Sequence, residues 1–196
     1  MKMLIIAGFL GSGKTTLLLQ IARRLSSASQ RIVIIENELG EVGVDGDYLD
    51  LEGFKVQELF GGCVCCTLSA GLIEALETLN RHYHPDIVIL EATGAANPAD
   101  IVVNVRKCRL EVHDIKVITL VDAKRYTMLM EMMTPLLTSQ IQAADIVAVN
   151  KIDLVEPGMV ERIIQDVGSL NPRAQVNAIS LEKRTHLNIR MDQLQC

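Results

Sequence analysis

At 196 residues the chain can bury one substantial core, and 49% hydrophobic residues against only 3% aromatics mean that Ile, Val, Leu, Met and Ala must build it, a palette suited to a buried parallel sheet. A formal net charge of -5 with no Lys/Arg block leaves no footprint for a phosphate backbone, so nucleic acid is excluded as the expected partner. No apolar run approaches the roughly 20 residues of a membrane-spanning helix, and five cysteines, three of them crowded at Cys63, Cys65 and Cys66, make no spaced disulfide framework, so a soluble protein of the reducing cytoplasm, with no membrane partner, is expected.

Met3 to Ala7 is the first apolar run and predicts a strand. Met1-Lys2 ahead of it gives the stretch to Leu10 the outline of a short signal peptide. That stretch leads straight into a glycine-rich loop that requires it as a strand, so the signal reading is rejected. Beyond the loop, Leu17, Ile21 and Leu25 recur at helical spacing with Leu18 and Ala22 beside them, and Ser26, Ser27 and Ser29 end the helix. Arg31 to Glu36 predicts a second strand. Asn37 to Gly53 is acidic, glycine-punctuated and aperiodic, which predicts a mobile loop. Lys55 to Leu59 predicts a third strand, Gly61-Gly62 a turn, and Thr67 the cap of a helix through Leu72, Leu76 and Leu79.

Asp86 to Leu90 and Ile115 to Val121 are continuous apolar strands, with a helix opened by Pro98 between them. Tyr126 to Ala144 has helical character interrupted at Pro135. Ile146 to Val149 is a strand, Gly158 to Leu170 a helix and Gln175 to Ile179 a last short strand, and residues 181–196 form a polar tail. The alternation predicts an α/β fold with a mostly parallel sheet and helices on both faces, as one domain over residues 1–196.

Gly8-Phe9-Leu10-Gly11-Ser12-Gly13-Lys14-Thr15 matches G-x-x-x-x-G-K-[ST] at every fixed position. Glycines let backbone N–H groups turn inward around a β-phosphate, and the following helix offers its positive N-terminal end. An ordinary glycine-rich turn would not need a strand before it and an amphipathic helix after it, and this context makes the fold a P-loop NTPase. Gly11, Ser12, Gly13, Lys14, Thr15 and Thr16 are then the phosphate-binding residues. Lys14 would bridge the β- and γ-phosphates, and the Thr15 hydroxyl would hold Mg²⁺.

Asn150-Lys151-Ile152-Asp153 follows a buried strand, where open α/β sheets place ligands. An aspartate there accepts from guanine N1–H and its 2-amino group, donors that adenine lacks, so GTP and GDP are the expected nucleotides. Ala178, after the last helix, is a weaker candidate for a backbone contact to the base. Glu91-Ala92-Thr93-Gly94 ends another buried strand and is similar to the D-x-x-G element of GTPases with Glu in place of Asp. Its carboxylate can hold Mg²⁺ and the Gly94 amide can sense a γ-phosphate. Lys14, Thr15 and Glu91 are therefore the candidate catalytic residues.

Cys63-Val64-Cys65-Cys66 places three thiols within four residues, soft ligands suited to Zn²⁺, Co²⁺, Ni²⁺ or Cu⁺. Buried free cysteines are the plainer alternative, but Cys65 and Cys66 are adjacent and cannot both easily face one core. With Gly8 to Thr16, Glu36-Asn37-Glu38-Leu39-Gly40-Glu41, Gly61 to Thr67, Glu91 to Gly94 and Asn150 to Asp153 in this order, the chain resembles the CobW-like family of metallochaperone GTPases, relatives of the GTPases that insert nickel into urease and hydrogenase. The resemblance implies GTP-dependent binding of zinc, cobalt or nickel and delivery to a client metalloprotein, with slow hydrolysis. It aligns Cys63, Cys65 and Cys66 with the family's metal-binding cysteines and puts Glu36, Glu38 and Glu41 in a nucleotide-responsive loop as further candidate ligands. The family generally carries a C-terminal domain for which this chain leaves no room, so the single-domain nickel-insertion relatives are the nearer comparison, and a metal- or GTP-dependent homodimer is compatible with it.

Met128, Met130, Met132 and Met133 predict an apolar helix face, in the core or at a dimer contact, rather than a thioether metal site. His82 and His84 stand at a helix end where imidazole can satisfy carbonyls, and Cys108, His113, His186 and Cys196 carry no assignment. Two other functional classes compete: a metal sensor or storage module with structural nucleotide, and an ATP-using P-loop kinase.

Overall fold

The computed structural model of the chain describes residues 1–26, 31–36, 55–58, 67–108 and 110–183. Among them seven strands form one sheet in the order β3-β2-β4-β1-β5-β6-β7: β1 Lys2–Gly8, β2 Ile32–Glu36, β3 Lys55–Glu58, β4 Ile87–Glu91, β5 Asp114–Asp122, β6 Ile146–Asn150 and β7 Gln175–Ala178. Every pairing is parallel. The helices are α1 Lys14–Ser26, α2 Thr67–Tyr83, α3 Pro98–Lys107, α4 Tyr126–Met132, α5 Thr134–Gln142 and α6 Pro157–Leu170.

Strand alternation divides the core in two. Met3, Ile5, Val33, Ile35, Val88, Leu90, Val147 and Val149 pack with side chains of α2 to α6. Leu4, Ile6, Ile34, Ile89, Ile118 and Leu120 face the other way, onto Leu17, Leu18, Ile21, Ala22 and Leu25 of α1. Helices therefore cover both faces, as the sequence predicts, with α1 opposite the other five. Strands β2, β4 and β6 are buried at every residue, which explains their continuous apolar runs.

The strand order positions the site. The chain leaves central β1 for β2 and β3, returns to β4 on one side of β1, and then crosses to β5 on the other. The loop after β1 thus lies at the point where strand order reverses, the crevice in which open α/β sheets bind ligands. The C-terminal ends of β4 and β5, Glu91 and Asp122, flank it.

The predicted break near Pro135 falls at Met133, which separates α4 from α5. Proline sits in the first turn of α5, where its missing N–H costs nothing, so the helix ends before it rather than on it. Asn97 caps α3, its side chain accepting from the Ala99 N–H at 3.1 Å with Pro98 following, as the Pro98 signal implies. Of the methionines, Met130 packs against the core, whereas Met128, Met132 and Met133 are exposed. At the end of α2 the backbone N–H of His84, at φ +45°, donates to the Asn80 carbonyl, so the main chain closes that terminus. Thr67 is the first residue of α2. The expected loop over residues 37–53 and the polar tail from 184 onward lie outside the described residues. Among the described residues no helix is long and apolar enough to cross a membrane.

Candidate functional site

The loop after β1 has the backbone its glycines predict. Gly8, Gly11 and Gly13 have φ of +134°, +71° and +106°, a region that L side chains rarely adopt. A Cβ on Gly8 would lie 2.4 Å from the Leu120 carbonyl oxygen, and one on Gly13 would lie 2.6 Å from Asn150 Nδ2. Helix α1 then starts at Lys14 with no acidic residue in its first turn, so its positive end faces the loop uncompensated from within the helix.

At this loop opens a cavity of about 600 Å³ lined by Gly11, Gly13, Lys14, Thr15 and Thr16, by Glu91, and by Asn150, Lys151, Asp153, Ser180 and Leu181. Its volume is within the usual range for small-molecule and cofactor sites. The Thr15 hydroxyl donates to Glu91 Oε1 at 3.1 Å, and Lys14 Nζ lies 3.8 Å from the same oxygen. Lys14 and Glu91 are both buried. A hydroxyl and a carboxylate oxygen converging beside a lysine are hard ligands suited to Mg²⁺, so these residues fit that ion.

The Asn-Lys-Ile-Asp segment, which also lines the cavity, divides into two tasks. Asn150 is buried and committed to the protein: Nδ2 donates to the Ser12 carbonyl at 2.8 Å and Oδ1 accepts from the Leu181 N–H at 3.1 Å. Lys151, at φ +63°, donates from Nζ to the Gly11 carbonyl at 2.6 Å and to Asp122 Oδ2 at 2.9 Å. Both side chains brace the phosphate loop. Asp153 is left to face the cavity, its side chain 10% exposed, and a hydrogen bond from Ser180 holds its carboxyl below the usual carboxylate range against partial desolvation, with Lys183 assisting. A site-facing carboxylate that stays ionised is what a pair of guanine donors requires.

Sequence reasoning missed Asp122, although an acid ending a buried strand is the same signal that marks Glu91. Its side chain is 1% exposed and accepts from Lys151 Nζ and from Arg125 Nε, the latter at 2.8 Å. Arg125 in turn donates to the Leu10 carbonyl at 2.5 Å. One buried carboxylate thus orients two cations onto consecutive carbonyls of the phosphate loop. Burial pushes Asp122 up, and the hydrogen bonds from Lys151 and then Arg125 more than offset this, leaving the carboxyl below its ordinary value. A lowered folded-state pKa stabilises the fold above the unfolded value, near 3.9, and that contribution is lost as pH falls through the folded value. Asp122→Asn should therefore remove part of the acid-induced loss of stability between about pH 5 and 2. Denaturation midpoints measured across that range check it, and an acid limb identical in both proteins would contradict it.

Of the other predicted residues, Ser12 is fully buried behind the cavity wall, its hydroxyl without a hydrogen-bond partner among the described residues. Gly94 is half-buried against the phosphate loop, and a Cβ there would meet the Leu10 nitrogen at 2.7 Å. Ala178 ends β7 and is exposed, while the cavity wall is built two to four residues further on, by Ser180, Leu181 and Glu182. Glu36 ends β2, buried, in register with Glu91 of β4, which sets the two acids one strand spacing apart, about 4.8 Å, on the same face. Glu38, Glu41, Cys63, Cys65 and Cys66 lie outside the described residues. Among the described residues no group of three or more His, Cys, Asp or Glu is placed to hold a metal. Cys108 is half-buried, its thiol pushed up by burial and by Glu77, which makes it a poor soft-metal ligand at neutral pH.

Comparison with known proteins accords with this geometry. Residues 2–178 match the family model described as CobW/HypB/UreG, nucleotide-binding domain. The chain is 32% identical over 185 residues to the zinc chaperone YjiA of Escherichia coli (strain K12), covering 90% of this chain and 56% of that protein. It is 31% identical over 199 residues to a zinc chaperone CobW of Sinorhizobium sp, covering 86% and 56%. The chain thus spans about half the length of the curated relatives it matches. Among solved structures, the hydrogenase maturation factor HypB from Archaeoglobus fulgidus superimposes with a TM-score of 0.72 at 19% identity, over 98% of this chain and 88% of that one, which supports the same P-loop fold. With the family model spanning all but the last 18 residues (196 less 178) and one residue at the start, the chain belongs to the CobW/HypB/UreG nucleotide-binding domain family.

Proposed function

We propose that this chain binds GTP, hydrolyses it slowly with Mg²⁺, and uses the bound nucleotide to control the loading of a transition metal, zinc foremost, which it delivers to a client metalloprotein. The observation that carries the reading is one cavity of about 600 Å³ lined both by the Lys14, Thr15 and Glu91 cluster and by Asp153. That combination suits a purine nucleoside triphosphate with its phosphates on the loop and its base on the carboxylate. The relatives named as zinc chaperones favour zinc as cargo, with cobalt and nickel as competitors set by thiolate chemistry.

Phosphoryl transfer demands charge neutralisation more than covalent help. Inward-facing loop amides and Lys14 take the β,γ-bridging charge as it develops. Bound Mg²⁺ would neutralise β- and γ-oxygens, held by Thr15 and, through water, by Glu91. Glu36, one strand from Glu91, opens the segment that runs through Glu38 and Glu41, and Cys63, Cys65 and Cys66 supply the cargo thiolates. A change at the Glu91 carboxylate is therefore one strand spacing from the start of that segment.

Phosphate release from GTP and from ATP, measured on reduced protein with and without Zn²⁺, tests the enzymatic half. Slow GTP turnover with ATP used at least about tenfold less is expected. Preference for ATP over GTP would support the ATP-using kinase reading, and tight metal binding without GTP and with negligible turnover under any metal condition would support a storage module.

A further inference from the structure

Gln140 of α5 is fully buried, and its side chain reaches the loop that follows Glu91. Nε2 donates to the Gly94 carbonyl at 3.1 Å and to the Ala96 carbonyl at 2.9 Å. Only the amide nitrogen can serve two carbonyl acceptors, so the orientation of the group is fixed by its partners. Its main-chain carbonyl accepts from Thr119 Oγ1 of β5 at 2.8 Å, a contact in which both residues are completely buried. The helix residue is thereby tied to the central sheet on one side and to the Gly94 loop on the other.

Gly94 in turn lies close against the phosphate loop. A Cβ there would sit 2.7 Å from the Leu10 nitrogen, so its backbone is pressed between the phosphate loop and Gln140. A displacement of the Gly94 main chain toward a terminal phosphate would strain the hydrogen bond that Gln140 donates to its carbonyl. Gln140 Oε1 is buried with no hydrogen-bond partner among the described residues, a standing cost that a residue serving packing alone would shed if it were Met or Leu.

We infer that Gln140 is a positioning residue that sets the Gly94 amide for the γ-phosphate and links occupancy of that position to α5. The inference rests on the GTP reading above. Gln140→Glu keeps the shape and reverses the donor, and Gln140→Met removes it. Asn171 provides the control: its Nδ2 donates to the Ile141, Gln142 and Ala144 carbonyls at the end of α5, so Asn171→Ala disturbs the same helix far from Gly94 in sequence and contact.

The experiment measures the affinity of the full chain and each variant for GDP and for a nonhydrolysable GTP analogue, both with Mg²⁺, beside thermal midpoints. Both Gln140 variants should lower the ratio of analogue to GDP affinity by about tenfold, while Asn171→Ala lowers the midpoint and leaves the ratio unchanged. An unchanged ratio in folded Gln140 variants, with normal analogue binding by the unaltered chain, overturns the Gln140 role alone. Failure of the unaltered chain to bind the analogue overturns both this inference and the GTP reading. Should neither Gln140 variant fold, amide hydrogen exchange over residues 134–142 of the unaltered chain decides the matter. Different protection in the analogue and GDP states supports the link, and identical protection refutes it.

Discussion

Asp153→Asn should weaken binding of GTP and of GDP by about a hundredfold or more and raise the relative affinity for xanthosine nucleotides. The native carboxylate presents two acceptors to the base edge, and each charge-assisted hydrogen bond contributes about 1.5–3 kcal/mol. The amide replaces one acceptor with a donor, which meets the guanine 2-amino group as a clash of donors but pairs with the oxygen that xanthine carries there. Ser180 and Lys183 hold Asp153 ionised, so the loss should be the same at pH 6 and pH 8. Equilibrium binding with fluorescent guanine, xanthine and adenine nucleotides makes the comparison. Unchanged guanine affinity would move the base elsewhere and reopen the adenine reading.

The second large effect is expected at Lys14. Lys14→Met should reduce single-turnover GTP hydrolysis by about 10²–10³-fold, the usual consequence of removing one preorganised group that meets charge in the transition state. Lys14 also has a neighbour of opposite charge. Lys14 lies 3.8 Å from Glu91 Oε1 with both side chains under a tenth exposed, and without the cation the buried carboxylate favours its protonated form. The variant should therefore need more Mg²⁺ for GTP binding, most visibly at lower pH, where a protonated Glu91 no longer serves the ion. Nucleotide binding titrated against Mg²⁺ at two pH values separates this from a simple loss of phosphate contact. Hydrolysis at the unaltered rate would place the chemistry away from this loop.

Most of this site was legible because its parts follow from backbone constraints. Three glycines and a lysine between an apolar strand and an amphipathic helix permit few structures, and Gly8, Gly11 and Gly13 adopt the positive φ values that the motif requires. The alternation of apolar runs with 3.6-period segments gave the layers, and strand ends gave Glu91 and Asp153. What was not legible depends on distant pairing. Arg125 and Gln140 lie in ordinary-looking stretches of sequence, and although Asp122 carries the strand-end signal, the roles of all three arise only when the strand order brings the end of β5 beside β1 and α5 against the loop after β4. Asn150 and Lys151 line the cavity beside Asp153, and their hydrogen bonds to Ser12, Leu181, Gly11 and Asp122 are a bracing task that the Asn-Lys-Ile-Asp spacing alone does not reveal. The exposed methionines of α4 were expected on an apolar face, and whether that face meets the interior depends on how α4 is docked after β5.

The account as a whole turns on the dependence of metal affinity on nucleotide state. Titration of the reduced chain with Co²⁺, read by thiolate absorbance and repeated with Zn²⁺ in competition, should give affinities that differ by about tenfold or more between the GTP-analogue and GDP forms, with the signal abolished when Cys63, Cys65 and Cys66 are replaced by Ser. Equal affinity in the two nucleotide states, or full retention of the signal without those three thiols, would contradict it.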